Sequence, residues 1–254
     1  DPLAEKNRQY TDKEAIDILS PLFQEHNLDP GRPILTAISR YDVHKNQATV
    51  LKAFARLLAE AKPQPRPQLI FLGNTATDDP EGAAVLEGLK KQAEGMKDVH
   101  FWVNVADNDR VVGALMSLAK AKIHVSTKEG FGLVVSEALW QGTPVIGSKV
   151  GGIVEQVVDG RTGYLVEALD VEALAAKMAR VLENPDEAQA LGAQGREHVR
   201  ANFLLPELIR RYLILLGFYS GRGEELPDFR LDDLSYREVQ DRVRSFGRHP
   251  FFPD

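Results

Sequence analysis

Two glutamates and two glycines share the stretch "STKEGFGLVVSEALWQG" (126–142): Glu129, Gly130, Gly132 and Glu137. A helix that begins near Phe131 offers unpaired N–H groups and a partial positive charge at its start, which suits an anion. Glycine at 130 and 132 lets a ligand approach the backbone closely. Carried on one continuous helical rise, Glu129 and Glu137 would stand about 12 Å apart. That is wider than the roughly 5–9.5 Å of paired-carboxylate hydrolases. It suits a ligand with hydroxylated rings at both ends and a diphosphate between, because carboxylates accept hydrogen bonds from vicinal hydroxyls. A nucleotide sugar has that shape.

A second stretch, "SRYDVHKN" (39–46), adds two cations, Arg40 and Lys45. Arginine grips a phosphate as a fork and lysine as a point charge. Both would also stabilise charge developing on a departing nucleoside diphosphate.

These stretches need elements to position them. Thr11 followed by Glu14 has capping-box spacing and opens a helix over 13–26. Pro21 predicts a kink or break within it. Strands are expected at 33–39, 68–73, 99–103, 122–126, 143–147 and 163–166. Helices are expected at 46–62, near 81–95, 109–120, 131–141, 152–158, 170–183, 186–200 and 206–217. Such alternation predicts βαβ units and a parallel sheet of about six strands, apolar on both faces. The expected class is therefore α/β, a doubly wound, Rossmann-like sheet. Its ligand belongs outside the carboxyl ends of the strands, where the loops 39–46, 73–80, 104–109, 127–132 and 148–152 gather. Residues 1–217 read as that domain. Residues 218–254 are charged and aromatic and read as an appendage with one helix near 235–245.

Composition agrees with a packed core: of 254 residues 43% are hydrophobic and 27% charged. The net charge of −6 argues against a nucleic-acid surface, and the lack of cysteine excludes disulfides and thiolate metal sites. No apolar run approaches the roughly 20 residues of a membrane span and no secretory signal is visible, so a cytoplasmic location is expected. The chain opens at Asp1-Pro2 without Met, which suggests a fragment or an excised domain.

Glu129 and Glu137 in the frame "EGFGL", together with "SRYDVHKN" and "TPVIGSKVGGIVEQVVDGRTGYLV" (143–166), resemble the retaining glycosyltransferases of GT-B architecture, family 4. "DPLAEKN" at the start, "DDPEG" (78–82) and "KEGFGL" (128–133) resemble the trehalose glycosyltransferring synthase and trehalose phosphorylase group within it. The likeness spans residues 1–216. It implies the carboxy-terminal, donor-binding half of a two-domain enzyme, whose acceptor-binding amino-terminal half lies outside this chain. Arg40 and Lys45 would contact donor phosphates. Glu129 would accept the hexose hydroxyls, and N–H groups at Gly130, Phe131, Gly132 and Leu133 would face hexose or diphosphate. Glu137 would accept the ribose hydroxyls, main-chain atoms at Val103 and Asn104 would face the base, and Gly151-Gly152 would lie near the donor. Arg40, Lys45 and Glu129 take the catalytic roles, with retention of configuration and no metal or other cofactor. Transfer of glucose to a sugar acceptor, forming trehalose, is the implied reaction. Phosphorolysis by inorganic phosphate and a non-catalytic nucleotide-sugar-binding module remain open, as does a homodimer. The family has glycine after the loop lysine, where this chain has Asn46.

Other signals carry less. Asp107-Asn108-Asp109 reads as a helix cap rather than a metal site, and Asp78-Asp79-Pro80 as a helix start. His44 reads as a loop residue and His124 as a satisfied core residue. Gly73-Asn74 fits either a pocket wall or a turn. No G-x-G-x-x-G follows a strand, which disfavours a nicotinamide dehydrogenase.

Overall fold

The computed structural model describes residues 2–75 and 80–219, without the side chains of 214–219. In chain order the elements are α1 (Asp12–Glu25), β1 (Ile34–Ile38), α2 (Gln47–Glu60), β2 (Gln68–Gly73), α3 (Pro80–Gln92), β3 (Val99–Val103), α4 (Asn108–Leu118), β4 (Ala121–His124) and α5 (Leu133–Gln141). There follow β5 (Val145–Ser148), α6 (Ile153–Gln156), β6 (Gly163–Val166), α7 (Val171–Glu183), α8 (Pro185–Asn202) and α9 (Leu205–Tyr219), with short 3-10 turns at Glu5–Asn7 and Val43–Lys45. Two compact units result: residues 2–199, which hold the sheet, and a second, which holds α9. Asp78, Asp79, "PFFPD" and the helix expected near 235–245 lie outside the described residues. Of the expected appendage, only Phe218 and Tyr219 are described, as the end of α9.

The sheet runs β3-β2-β1-β4-β5-β6, and every pairing is parallel. Strands β1, β2, β4 and β5 are buried along their whole length, as a sheet covered on both faces requires. Leu35, Phe54, Leu57, Phe71, Ile123, Ile146 and Met178 belong to one continuous apolar cluster. Each such side chain contributes about 1.5–3 kcal/mol on burial. Helix α2 packs beside α7, and α4 beside α1. This is the doubly wound, Rossmann-like α/β sheet that was expected.

The strand order reverses between β1 and β4. Loops leaving the carboxyl ends of two neighbouring strands diverge at such a point and open a crevice between them. The loop after β1 carries Arg40 and Lys45; the loop after β4 carries Glu129.

Two local expectations are corrected. Helix α1 runs through Pro21 without a break. Proline forfeits the bond to the carbonyl four residues earlier, and here both Pro21 and Asp17 are exposed, so water can satisfy that carbonyl. Helix α5 starts at Leu133, not near Phe131, because Gly132 sits at φ 81, outside the right-handed helical region. Glu129 therefore stands in a loop, and a separation taken from continuous helical rise does not apply. The capping box at Thr11 and Glu14 forms with both of its reciprocal bonds.

Candidate active site at the β1/β4 crevice

The crevice is an open cleft of about 680 Å³. Arg40, Lys45, Gly73, Glu129, Gly132, Leu133 and Glu137 all line it, together with Lys6 and His124.

The cation loop is built from its own short-range bonds. Asp42 accepts from the His44 N–H at 2.6 Å and starts the turn Val43–Lys45. Gln47, the first residue of α2, donates to the Arg40 carbonyl at 2.8 Å and to Ser39 Oγ at 3.1 Å. Asn46 takes a left-handed conformation, φ 54 and ψ 37. Glycine enters that region freely, and asparagine is among the few other residues that do so readily. Its Nδ2 donates to the Val125 carbonyl at 3.0 Å and the Ala168 carbonyl at 2.6 Å, while Oδ1 accepts from Thr49. Asn46, where the resemblance implies glycine, thus holds a positive φ and makes three side-chain bonds. Within this loop Arg40 is 74% exposed at the mouth of the cleft, its nearest carboxylate 3.9 Å away on Asp42. Lys45 is held deeper.

Glu129 is the meeting point. Its Oε2 accepts from Lys45 Nζ at 2.7 Å, faces His124 Nε2 at 2.7 Å and accepts from Ser126 Oγ at 3.3 Å. Those bonds all fall on one oxygen and leave Oε1 outside them. The His124 bond above all, and then Lys45, hold the carboxyl down to about 2 against the burial that opposes them. Beneath it, Lys122 Nζ lies 3.2 Å from His124 Nδ1 and 3.4 Å from the Ile38 carbonyl. Lys122 is wholly buried on β4, and burial brings it down to about 7. Burial first, then the Lys122 charge, bring His124 down to about 4. At that value the imidazole is neutral at pH 7, with Nδ1 facing Lys122 and Nε2 facing Glu129.

The glycines divide by role. A Cβ on Gly130 would meet open space, so its backbone is approachable. Gly132 supplies the positive φ that starts α5, and it offers no side-chain cap to the first-turn N–H groups. A Cβ on Gly151 would stand 1.7 Å from the Glu129 carbonyl, and one on Gly152 2.7 Å from the Gly130 carbonyl. Gly152 N–H donates to that Gly130 carbonyl at 2.8 Å. Gly151-Gly152 thus buttresses the Glu129 loop from behind. On the opposite wall a Cβ on Gly73 would clash with the Ser39 carbonyl at 2.2 Å, so the β1 and β2 ends could not approach as they do. Phe131 and Leu133 are exposed.

Glu137, on α5, is paired with Lys6: Nζ to Oε1 is 2.7 Å. Val103 and Asn104 are placed elsewhere. They line a separate cavity of about 910 Å³ together with Glu14, Asp17 and His26. Asn104, at φ 52, exchanges two hydrogen bonds with Thr75, at 2.9 and 3.1 Å. Asp107 is the residue before α4 but makes no side-chain cap bond; its carboxylate lies 3.7 Å from Arg110. His44 is an exposed loop residue whose carbonyl accepts from Thr127 N–H at 2.8 Å, tying the two site loops together.

Sequence reasoning missed Lys6 and Lys122 and understated His124, which is satisfied and buried but satisfied by Glu129. A signal for the last two existed. Lysine and histidine at i and i+2 of an otherwise apolar strand share one face. Lys6 offered none, being 131 residues from its partner.

The family model described as glycosyl transferases group 1 matches residues 20–198. A trehalose synthase of Pyrococcus horikoshii is 36% identical over 222 residues, 87% of this chain and 51% of its own length. A trehalose phosphorylase of Grifola frondosa is 30% identical over 226 residues, 85% of this chain and 31% of its own length. Among solved structures, a sucrose-phosphate synthase from Thermosynechococcus elongatus superposes with a TM-score of 0.66 at 31% identity, over 79% of this chain and 49% of that one. The chain spans about half the length of the trehalose synthases it matches. Among the described residues no helix is long and apolar enough to cross a membrane.

Proposed function

The chain belongs to the glycosyl transferases group 1 family, and on that premise we propose that it is the donor half of a retaining hexosyltransferase that takes glucose from a nucleoside diphosphate. The observation that carries this reading is the grouping in one cleft of two lysine–glutamate pairs, Lys45–Glu129 and Lys6–Glu137, with Arg40 exposed at the mouth. Arg40 and Lys45 bind the diphosphate and stabilise the charge that develops on it as it leaves. Glu129 takes hexose hydroxyls through Oε1, the backbone from Gly130 to Leu133 borders the hexose and diphosphate, and Glu137 takes the ribose hydroxyls. Charge neutralisation comes from these side chains, without a metal.

Transfer requires an acceptor held against the same sugar by a second domain. Half of a cleft neither excludes water nor aligns two reactants, so this chain alone binds donor but transfers slowly. Glucose as acceptor, giving trehalose, follows from the similarity to trehalose synthases. The similarity to a trehalose phosphorylase favours one second reading, in which Arg40 and Lys45 bind inorganic phosphate and Glu137 has no ribose to hold.

Calorimetric titration separates the two. The chain is titrated with UDP, ADP, GDP, their glucose conjugates and inorganic phosphate, alongside Glu137→Ala. Binding of one nucleotide, weakened in the variant by about 1–3 kcal/mol, supports the donor reading and identifies the base. Heat from phosphate alone supports phosphorolysis. Heat from neither overturns the view that this half forms the pocket by itself.

A further inference from the structure

A lysine with no exposed surface is unusual, because its charge loses hydration, and here it gains no carboxylate within ion-pair distance among the described residues. The hydrogen bonds to Lys122 Nζ lead to the Ile38 and Ile123 carbonyls and to His124 Nδ1, the last being the shortest at 3.2 Å. Nitrogen can donate to Nδ1 whether it is ammonium or amine. His124 is itself 4% exposed and spends its other nitrogen on Glu129. The charged groups around this pair are Lys45 on the loop after β1, Glu129 on the loop after β4, and Glu137 on α5.

We propose that Lys122 and His124 are positioning residues for Glu129: Lys122 Nζ holds the imidazole as the Nε2–H tautomer, and the imidazole clamps the carboxylate by Oε2 so that Oε1 is presented to the cleft. The chain Lys122–His124–Glu129 follows the alternation of a single strand into the loop that ends it. Two neighbours on one face of β4 and the first carboxylate beyond it fall in line. Lys45 grips the same Oε2 from the opposite loop. Two donors from different elements fix the carboxylate plane where one would leave it free to rotate. A lysine beneath the ring has a further consequence. Were His124 to take a proton at Nδ1, it would face the nitrogen of Lys122, so the ring stays neutral and Glu129 keeps its full charge. The same logic operates where an outer hydrogen bond fixes the tautomer of a histidine that ligates a metal.

The role assigned to Oε1 rests on the donor reading above; the tautomer and its support do not. The experiment therefore has two parts, both on the 254-residue chain. The first is an NMR titration of the His124 ring nitrogens. In the wild type the ring is neutral and protonated at Nε2 down to about pH 4. In Lys122→Met the histidine titrates about one unit higher or more, because a donor to Nδ1 and a like charge are gone. A wild-type ring protonated at Nδ1, or an unchanged titration in Lys122→Met, overturns the proposal.

The second part compares UDP with UDP-glucose binding in His124→Leu and His124→Gln, with folding followed by thermal melting. Glutamine keeps an N–H donor near the position of Nε2; leucine removes it. The expected result is about tenfold weaker UDP-glucose binding in His124→Leu with UDP little changed, restored to within about threefold in His124→Gln. Equal loss in both, at wild-type melting temperature, overturns the positioning role. If the wild type binds neither ligand, the donor reading fails, and the NMR titration still decides whether Lys122 governs His124.

Discussion

Lys6 reaches across 131 positions of sequence to place its Nζ 2.7 Å from Glu137 Oε1, in the same cleft as the Lys45–Glu129 pair. The lysine comes from the 3-10 turn Glu5–Asn7, which is held to α5 by neighbours of the pair. Trp140 Nε1 donates to the Asn7 carbonyl at 2.8 Å, and Gln141 Nε2 to the Lys6 and Arg8 carbonyls at 3.0 and 2.9 Å. The carboxylate proposed to receive ribose is thus already engaged, and a ligand must share it with Lys6.

The pair stabilises the fold and is coupled. Lys6→Met and Glu137→Ala are each expected to cost about 1 kcal/mol, and the double variant little more than either single one, as a double-mutant cycle in urea would show. Glu137 holds the Lys6 ammonium above its ordinary range, chiefly through the hydrogen bond. A raised lysine contributes stability in full below the unfolded value of about 10.5 and loses it as pH rises through the folded value. The cycle's coupling should therefore vanish in strongly alkaline buffer.

Glu129 gives the opposite sign. Its carboxyl is held down to about 2 in the fold, from 4.5 unfolded. A depressed carboxyl contributes stability above the unfolded value, which is lost as pH falls from about 4.5 toward 2. Urea melts from pH 7 down to 2 are expected to show that loss in the wild type and a shallower one in Glu129→Gln. Equal slopes would mean that Lys45 and His124 do not hold the carboxylate.

Asn46 separates backbone conformation from side-chain bonding. Asn46→Gly keeps φ 54 without strain but forfeits the bonds to Val125, Ala168 and Thr49; Asn46→Ala forfeits the bonds and adds strain. Alanine should therefore be less stable than glycine by about 1–2 kcal/mol, the cost of a left-handed conformation, measured by chemical denaturation.

The glycines at the site predict contrasting alanine variants. Gly151→Ala drives a Cβ into the Glu129 carbonyl at a positive φ. It should lose about 3 kcal/mol or more and lose donor binding with it. Gly130→Ala meets open space, so its melting temperature should match the wild type. Weakened UDP-glucose binding in that stable variant would report a ligand lying against the Gly130 backbone, and undiminished binding would place the ligand elsewhere.

Much of this protein can be read without coordinates, for identifiable reasons. Strands such as "QLIFLG" run apolar from Leu69 to Leu72 without alternation, as a sheet covered on both faces requires. The alternation with helices then entails parallel pairing and places the ligand at the carboxyl ends. Arg40, Lys45, Glu129 and Glu137, which line one cleft, could be singled out because the first three sit in loops at strand ends and the last on the helix that follows. What depended on tertiary structure is of another kind. The strand order, with β1 beside β4, brings "SRYDVHKN" against "KEGFGL", and nothing local to either stretch encodes that meeting. The lysine–glutamate pairs join residues 84 and 131 positions apart. Whether Lys122 is a surface lysine or a wholly buried support under His124 depends on which face of β4 is covered. Short-range stereochemistry is written residue by residue, whereas the pairing of distant charges, and with it the set of the Glu129 carboxylate, exists only once the sheet has closed over them.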